Sequence, residues 1–567
     1  MKTKTQMSKL VAGAAIVLAA NVPGYGQTNL GAACGCPPVS ARTTVTVSSL
    51  PGFSVVANAF GGELTTGGNW TCDKTYVLDQ KIYVPAGQVL NIQPGTVVKG
   101  VFTNSVQAAA ALIIERGGKI IAAGTKDCPI VFTTVNDVNV DGTYGVINRG
   151  QWGGIVILGK ASNNLNFALN GPFTAGSGNG KLAVCDGVGV VEGFATNVPQ
   201  DRFGVCTSAN AQGSGEAVSQ TFDDNDNSGI MRYVSIRHAG AILSVGSEIN
   251  GITLGSVGRG TTLENIEIVS CADDNIEFFG GTVNIKYITT LFGNDDMFDW
   301  DDGYTGKAQF LFGMKGDTQT GWSQDSDNGF EADGDDQKTC AAPISHPVIY
   351  NATIIGNSKT VLNSDNSSIA GINAKELTEG EIYNSIFANY KNGYNMIQAL
   401  GSRSVNCSVE TYNNWINGSL KVKCNTFVGV TNPLTIANNT TALIASDNTK
   451  FLTTDLNNVV SSLPGFTFTF TANPTTNAWT AKNDVVPNPA LSISGCPAYP
   501  VDGFFTTVTY RGAFASTGAS WLSDWSYSAL LGSTLGTAPC ATDLNKDGVT
   551  NVTDFLIFLP AFNTSCQ

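Results

Sequence analysis

Three stretches of this chain align with one another, and that internal repeat limits its fold more than any other feature. Ala272-Asp273-Asp274-Asn275-Ile276-Glu277-Phe278 lies over Asn294-Asp295-Asp296-Met297-Phe298-Asp299-Trp300, and both lie over Ser326-Asp327-Asn328-Gly329-Phe330-Glu331-Ala332. Acid falls over acid, and a large apolar residue precedes Glu277, Asp299 and Glu331 alike. The register reaches back to Asn250-Gly251-Ile252-Thr253 and forward to Asn392-Gly393-Tyr394-Asn395. The first steps are roughly two dozen residues, a period that belongs to stacked structural units. Short β-runs at 263–268, 284–289 and 309–313 are broken by Gly, Asn and Asp, with no helical period between them. One coil of parallel strands per repeat follows. Equivalent residues then stack at about 4.8 Å, the strand spacing. Asp273, Asp295 and Asp327 become one column, and Glu277, Asp299 and Glu331 another.

The composition agrees. Of 567 residues 64 are Gly and only 13% are charged, which suits β-coils joined by tight turns. Coils are predicted across 65–445, first at Tyr76-Val77-Leu78 and Val89-Leu90-Asn91-Ile92, where apolar and polar residues alternate up to Pro-x-Gly corners. Residues 161–220 lose the period and read as a long excursion from the wall. An extended lead-in at 27–64 precedes the coils. A capping region at 446–536, aromatic from Phe504 through Trp521 and Trp525, is expected to close the last coil, whose end is otherwise open and apolar.

The start of the chain, with Lys2, Lys4 and Lys9 before an apolar run over 10–20, reads as a signal peptide within 1–26. That run is too short to span a bilayer, and no later segment is long and apolar enough. A lipid-attachment reading at Cys34 fits less well, because Cys34 lies far from the apolar run. Thirteen cysteines in an exported chain imply disulfides. Near neighbours are the expected pairs: Cys185 with Cys206, Cys407 with Cys424, and Cys540 with Cys566. Cys271 reads as a core thiol. Removing the leader takes the net charge from −14 to −17, since three bases and no acid are lost. Such a surface excludes nucleic acid as a partner and favours divalent cations.

Several motifs carry a resemblance. Trp152-Gly153-Gly154-Ile155-Val156-Ile157-Leu158-Gly159-Lys160, Arg232-Tyr233-Val234-Ser235-Ile236-Arg237-His238 and Ile276-Glu277-Phe278-Phe279-Gly280-Gly281-Thr282-Val283 resemble secreted bacterial proteins of the pectate-lyase-like, right-handed β-helix type, as do Phe298-Asp299-Trp300-Asp301 and the ending from Arg511 to Trp525. The resemblance covers roughly residues 70–535 and implies an architecture more than an activity. The expected fold is an all-β, right-handed parallel β-helix solenoid with a small C-terminal calcium-loop module.

That module, at 537–567, holds the strongest local motif. Asp543, Asn545, Asp547, Asn551 and Asp554 occupy loop positions 1, 3, 5, 9 and 12, with Gly548 at the sharp turn and the Val549 carbonyl at position 7. This is the spacing of an EF-hand calcium loop ending in Asp instead of Glu. It resembles one half of a bacterial dockerin. A full dockerin carries two such loops, which argues against cohesin binding here.

The acidic columns allow three readings. Carboxylates one coil apart approach the separation of a retaining glycosidase pair, so Glu277, Asp299 and Glu331 are catalytic candidates. Stacked carboxylates also make a calcium or sugar site, with Asp273, Asp295 and Asp327 as ligands and Trp300 as a stacking ring. Asn and Asp ladders can equally serve only to satisfy turn amides. The two histidines, His238 and His346, lie outside any hydrolase motif. Arg237 could resemble a lyase base, although alternation with Ser235 points it outward. The expected role is that of a secreted or cell-surface, calcium-binding β-helix with a non-catalytic, adhesin-like or structural function. Its partners would be polysaccharide or cell-surface glycan, and open coil ends leave self-assembly available. The alternative is a polysaccharide lyase or glycoside hydrolase using acids within 273–331.

Overall fold

A computed structural model describes residues 30–530, apart from 103–108, 168–181, 317–327, 336–339, 357–369, 398–410, 438–446, 462–466, 473–478, 485–490, 516–519 and a few shorter intervals. The signal-peptide segment, Asp327, Cys407, the expected Cys540 and Cys566 pair and the whole calcium loop from Asp543 to Asp554 lie outside the described residues. Two long sheets build the wall of a right-handed parallel β-helix, one of 12 strands and one of 17. In the narrower sheet Ile252–Gly255, Ile276–Phe279, Phe298–Asp301, Phe330–Asp333 and Ala370–Lys375 follow one another as parallel neighbours. Ile276 pairs with Phe298, and Phe298 with Phe330, which is the register of the sequence repeat. The three β-runs of the repeat are strands Thr262–Val269, Asn284–Leu291 and Lys307–Met314 of the wider sheet.

The wider sheet is bent, and the bend has a local cause. Each crossing contains a residue in the left-handed region: Tyr233 (φ 49°), Asn265 (52°), Tyr287 (59°), Phe310 (59°), Asn351 (59°) and Asn384 (51°). Each costs an L-residue about 1–2 kcal/mol. That cost is set against core burial, because the kink shifts the side-chain parity by one. Met231 and Val234, three apart, both face the core, as do Leu263 and Ile266, and Ile285 and Ile288. Without the kink, strict alternation would aim one of each pair outward. The core is one continuous column of Ile, Leu, Val and Phe running inside the coils.

Asn ladders line the bend further along. Asn425 Oδ1 accepts from the Ser385 amide at 2.9 Å, and Asn458 Oδ1 from the Asn425 amide at 2.9 Å. Their side-chain amides donate in turn to the carbonyls of Ile382 (2.9 Å) and Val422 (2.8 Å). Both Asn side chains are buried and fully engaged, as buried amides must be.

Three expectations are revised by the structure. The lead-in is shorter than 27–64, because Thr43–Thr46 already pairs in parallel with Lys74–Leu78 and Gly61–Leu64 with Lys81–Val84. Cys424 bonds Cys496 instead of Cys407, while Cys34–Cys128, Cys36–Cys72 and the expected Cys185–Cys206 also form. A disulfide at Cys34 leaves no thiol there for a lipid. Cys271 is a free, buried thiol.

The third revision concerns the aromatic segment around Trp521. It does not lie over a coil end but runs as a strap along the outside of the bent sheet. Lys286 Nζ donates to the Phe504 carbonyl (2.7 Å), the Thr506 amide to Gln309 Oε1 (2.8 Å), and the Ala513 amide to Thr353 Oγ1 (2.8 Å). Phe514, Leu522 and Trp525 pack against Leu291, Phe312 and Ile355. Those outward apolar side chains supply the surface that the strap's rings need, which is why they settle there.

The excursion over 161–220 forms a small antiparallel sheet of Leu182–Cys185, Val188–Val190 and Arg202–Gly204, packed back on the wall with Phe203 against Phe279. Among the described residues no helix is long and apolar enough to cross a membrane.

Candidate functional site

Alternation along the narrow sheet sorts its residues into two faces. Ile276, Phe278, Phe298, Trp300, Phe330 and Ala332 enter the core, while Thr253, Glu277, Asp299, Glu331 and Asn373 form one outward column. Trp300 is therefore not a sugar platform. It is 3% exposed and packs beside Phe330 at 5.6 Å between ring centres. The parity that turns Asp299 outward turns its neighbour inward.

Asp274 is the hub of the site. One oxygen each from Asp273, Asp274 and Asp295 lie within 4.8 Å of one another, and so do one each from Asp274, Glu277 and Asp299. Two carboxylate triads thus share Asp274. Asp274, Glu277 and Asp299 are 8%, 4% and 7% exposed, while Asp273 and Asp295 are half-buried. Burial first, then Asp273, Asp299, Asp296 and Asp295, push the Asp274 carboxyl well above the usual carboxylate range. Two ionised carboxylates at that separation repel by roughly 3.5 kcal/mol at an effective dielectric of about 20. Five of them cannot all ionise in so small a volume without a counter-charge.

A second chain of contacts holds these residues in place. Asp274 Oδ1 accepts from the Asp296 amide at 2.8 Å, Asp296 Oδ1 from the Asn328 amide, and Asn328 Oδ1 from the Ala370 amide at 3.0 Å. Asn250, one coil earlier in the same column, instead sends its side-chain amide to Glu277 Oε2 and Thr253 Oγ1. The ladder reading of the acids is thus realised, but on the column next to the two singled out from sequence.

Glu331 does not join the triads. Its carboxylate pairs with Lys375 Nζ at 2.9 Å, and Lys375 also reaches Asp333 at 3.3 Å. Those acids, with Asp299, hold the Lys375 ammonium above its usual range despite the opposing effect of burial. Lys375 accordingly pairs with Glu331 and shares its field with Asp299, one coil earlier in the column.

The remaining candidates lie on the bent sheet. Arg237 points out of the coil, as alternation requires, yet it is buried beneath the strap: Nε donates to Ser235 Oγ at 2.9 Å, and the guanidinium sits 4.8 Å from the Tyr527 ring. His238 donates from Nδ1 to the Asn148 carbonyl at 2.7 Å, and burial pushes its pKa down to about 4, so it is neutral. His346 pairs with Glu379 at 3.0 Å. Neither histidine belongs to the carboxylate triads.

The donor set is oxygen only, which suits a hard cation such as Ca2+ and gives no purchase to soft metals. Sequence reasoning missed Asp274 and Asp296. Both lie two residues before a strand, Ile276–Phe279 or Phe298–Asp301, in a bend where strand alternation does not fix the direction of a side chain.

No curated protein matches the chain. A family model described as a pectate-lyase-like beta helix domain matches residues 62–183 and 204–478. The two matched blocks omit 184–203, which lies within the wall excursion. The disulfides and this domain are consistent with an extracellular location. With the coil register, the core and the matched length in agreement, the chain belongs to the pectate-lyase-like beta helix domain family.

Proposed function

We propose that this chain is an exported β-helix protein that binds Ca2+ on its narrow sheet and serves a non-catalytic, glycan-associated role at or outside the cell surface. The observation that carries the reading is the pair of triads meeting at Asp274. A divalent cation there offsets the mutual repulsion of Asp273, Asp274, Glu277, Asp295 and Asp299, and in return fixes neighbouring coils to one another. Burial of Glu277 and Asp299 supports the non-catalytic side of the proposal, since a polymeric substrate must reach both carboxylates at once. A second Ca2+ is proposed for the loop of Asp543, Asn545, Asp547, Val549, Asn551 and Asp554 on the strength of its spacing. Thermal unfolding with Ca2+ and with a chelator tests the first site. A melting temperature raised by Ca2+ in the Asp547→Ala chain, where the tail loop is disabled, is the expected result. No response in that background rejects the narrow-sheet site.

The enzyme reading keeps one observation in its favour. Oxygens of Glu277 and Asp299 lie within 4.8 Å, close to the roughly 5–5.5 Å of a retaining glycosidase pair. A polysaccharide panel followed for unsaturated products and new reducing ends decides between the two. Turnover abolished by Asp299→Ala and kept by Asp547→Ala would establish catalysis.

A further inference from the structure

The core column is covered at one end and open at the other. At the far end Phe451 enters the core beside Tyr394 (5.8 Å between ring centres) and Phe427 (5.3 Å). At the near end the first coil is incomplete. Thr43–Thr46 stacks on Lys74–Leu78 and Gly61–Leu64 on Lys81–Val84. Gly68–Trp70, however, has Val89–Ile92 on one side and, among the described residues, no strand on the other. The Trp70 carbonyl accepts from the Gln93 amide at 2.9 Å, so alternation turns the peptide groups of Asn69 to the open side.

A concavity of about 220 Å³ lies beside that edge, lined chiefly by Val45, Leu50, Pro51, Leu64, Trp70 and Tyr76. Leu64, Trp70 and Tyr76 belong to the core column itself, and Val45 and Leu50 pack against it, so the concavity is the column's exposed end. A solenoid end of this kind calls for a cover. The first described residues do not supply one: Leu30 packs against Val97, Val131 and Val140 on the outside of the bent sheet.

The strap carries the chain toward this end. Arg511 donates to the Asn425 carbonyl at 3.0 Å, the Ala513 amide to Thr353 Oγ1 at 2.8 Å, Trp521 lies beside Tyr287, and Asp524 pairs with Lys126 at 2.8 Å. Each partner stands on an earlier coil than the one before it. Lys126 follows Lys119–Ala123, which stacks on Val89–Ile92, which in turn stacks on Gly68–Trp70. Two coils, about 10 Å along the axis, thus separate Asp524 from the open edge. Residues 531–542 join the strap to the loop of 543–554, and a tether of that length spans about 19 Å. The loop is followed at once by Phe555-Leu556-Ile557-Phe558-Leu559, the longest unbroken apolar run of 531–567.

We propose that the 555–559 run of this chain's own C-terminal tail docks in the end concavity and covers the first coil, its apolar side chains set against Leu50, Leu64, Trp70 and Tyr76. An exposed core end, a strap heading for it, and an apolar run within reach beyond the strap carry the proposal together. The concavity stands apart from the carboxylate triads, and its occupation by the tail does not rest on the Ca2+ reading.

Hydrogen exchange of the full chain, read by mass spectrometry, tests the proposal. Phe558→Asp should raise exchange at 43–51 and 67–76 by about tenfold or more, as residues at a solenoid end lose their cover. Leu50→Asp, on the concavity, should in turn raise exchange across 555–559, because the coupling of two docked segments is reciprocal. Unchanged exchange over 276–301 shows that each variant is folded. Protection of both segments in the wild type should hold on dilution, as it must when the tail belongs to the same chain. Unaltered exchange at 43–51 and 67–76 in folded Phe558→Asp overturns the proposal, as does unaltered exchange at 555–559 in folded Leu50→Asp. Protection lost on dilution assigns the concavity to a second copy and overturns it equally.

Discussion

Two ladders in this molecule do the same structural work with different side chains. On the bent sheet, Asn425 and Asn458 each accept the amide of a neighbouring coil and use their own amide hydrogens on a carbonyl. On the narrow sheet, Asp274 and Asp296 accept coil amides in the same way, but each brings a negative charge where Asn would do. Asn328, next in that column, shows that a neutral residue is accommodated there. Stacking alone does not call for carboxylates. Their charge exceeds what the backbone needs, and burial together with the neighbouring carboxylates makes it costly in the cation-free fold.

The largest effect is expected on the neutral ladder. Asn425→Ala leaves the Ser385 amide and the Ile382 carbonyl without partners in a buried setting. A loss of about 2–4 kcal/mol in denaturant unfolding should follow. On the charged ladder, Ca2+ at about 100 times its Kd should add about 2.7 kcal/mol to the wild-type chain. Asp274→Asn keeps the acceptor oxygen for the Asp296 amide and removes the charge. It should stabilise the cation-free protein, read as a raised melting temperature, and abolish the Ca2+ response of the narrow sheet.

The same asymmetry sets a pH dependence. The Asp274 pKa is raised in the fold, so its ionisation opposes folding. Cation-free stability should decline as pH climbs above the unfolded-state value of about 3.9. Melting temperatures between pH 5 and pH 8 should show this slope in the wild type and a smaller one in Asp274→Asn. His346, raised by Glu381 and Glu379, contributes to both chains equally. The smallest effect belongs to Glu331→Gln. Its carboxylate already faces Lys375, so the change should leave the Ca2+ response of the narrow sheet intact in calorimetric titration.

Much of the fold was legible because it is periodic. Ile276 over Phe298 over Phe330 could be read from spacing alone, and the pairing has that register. The bend of the wider sheet was not legible, since Tyr233, Tyr287 and Phe310 are residues for which a positive φ is no one's first expectation. The strap was misplaced because aromatic content says that a surface will be covered but not which one. At the site, the outward column of Glu277 and Asp299 was found from sequence, and Glu331 was grouped with them because its partner Lys375 lies on a strand more than forty residues on. Trp300 was misjudged by ignoring parity, and Asp274 was overlooked because it stands in the bend before its strand, where alternation gives no direction. Side-chain direction on a strand thus carried more information than residue type.

Charge on Asp274, on the proposed reading, serves to hold a cation. Calorimetric titration of Ca2+ into the Asp547→Ala chain, with and without Asp274→Asn, tests it directly. The expected result is one saturable binding event in the first protein and none in the second. Equal heats in both, with both folded, would contradict it.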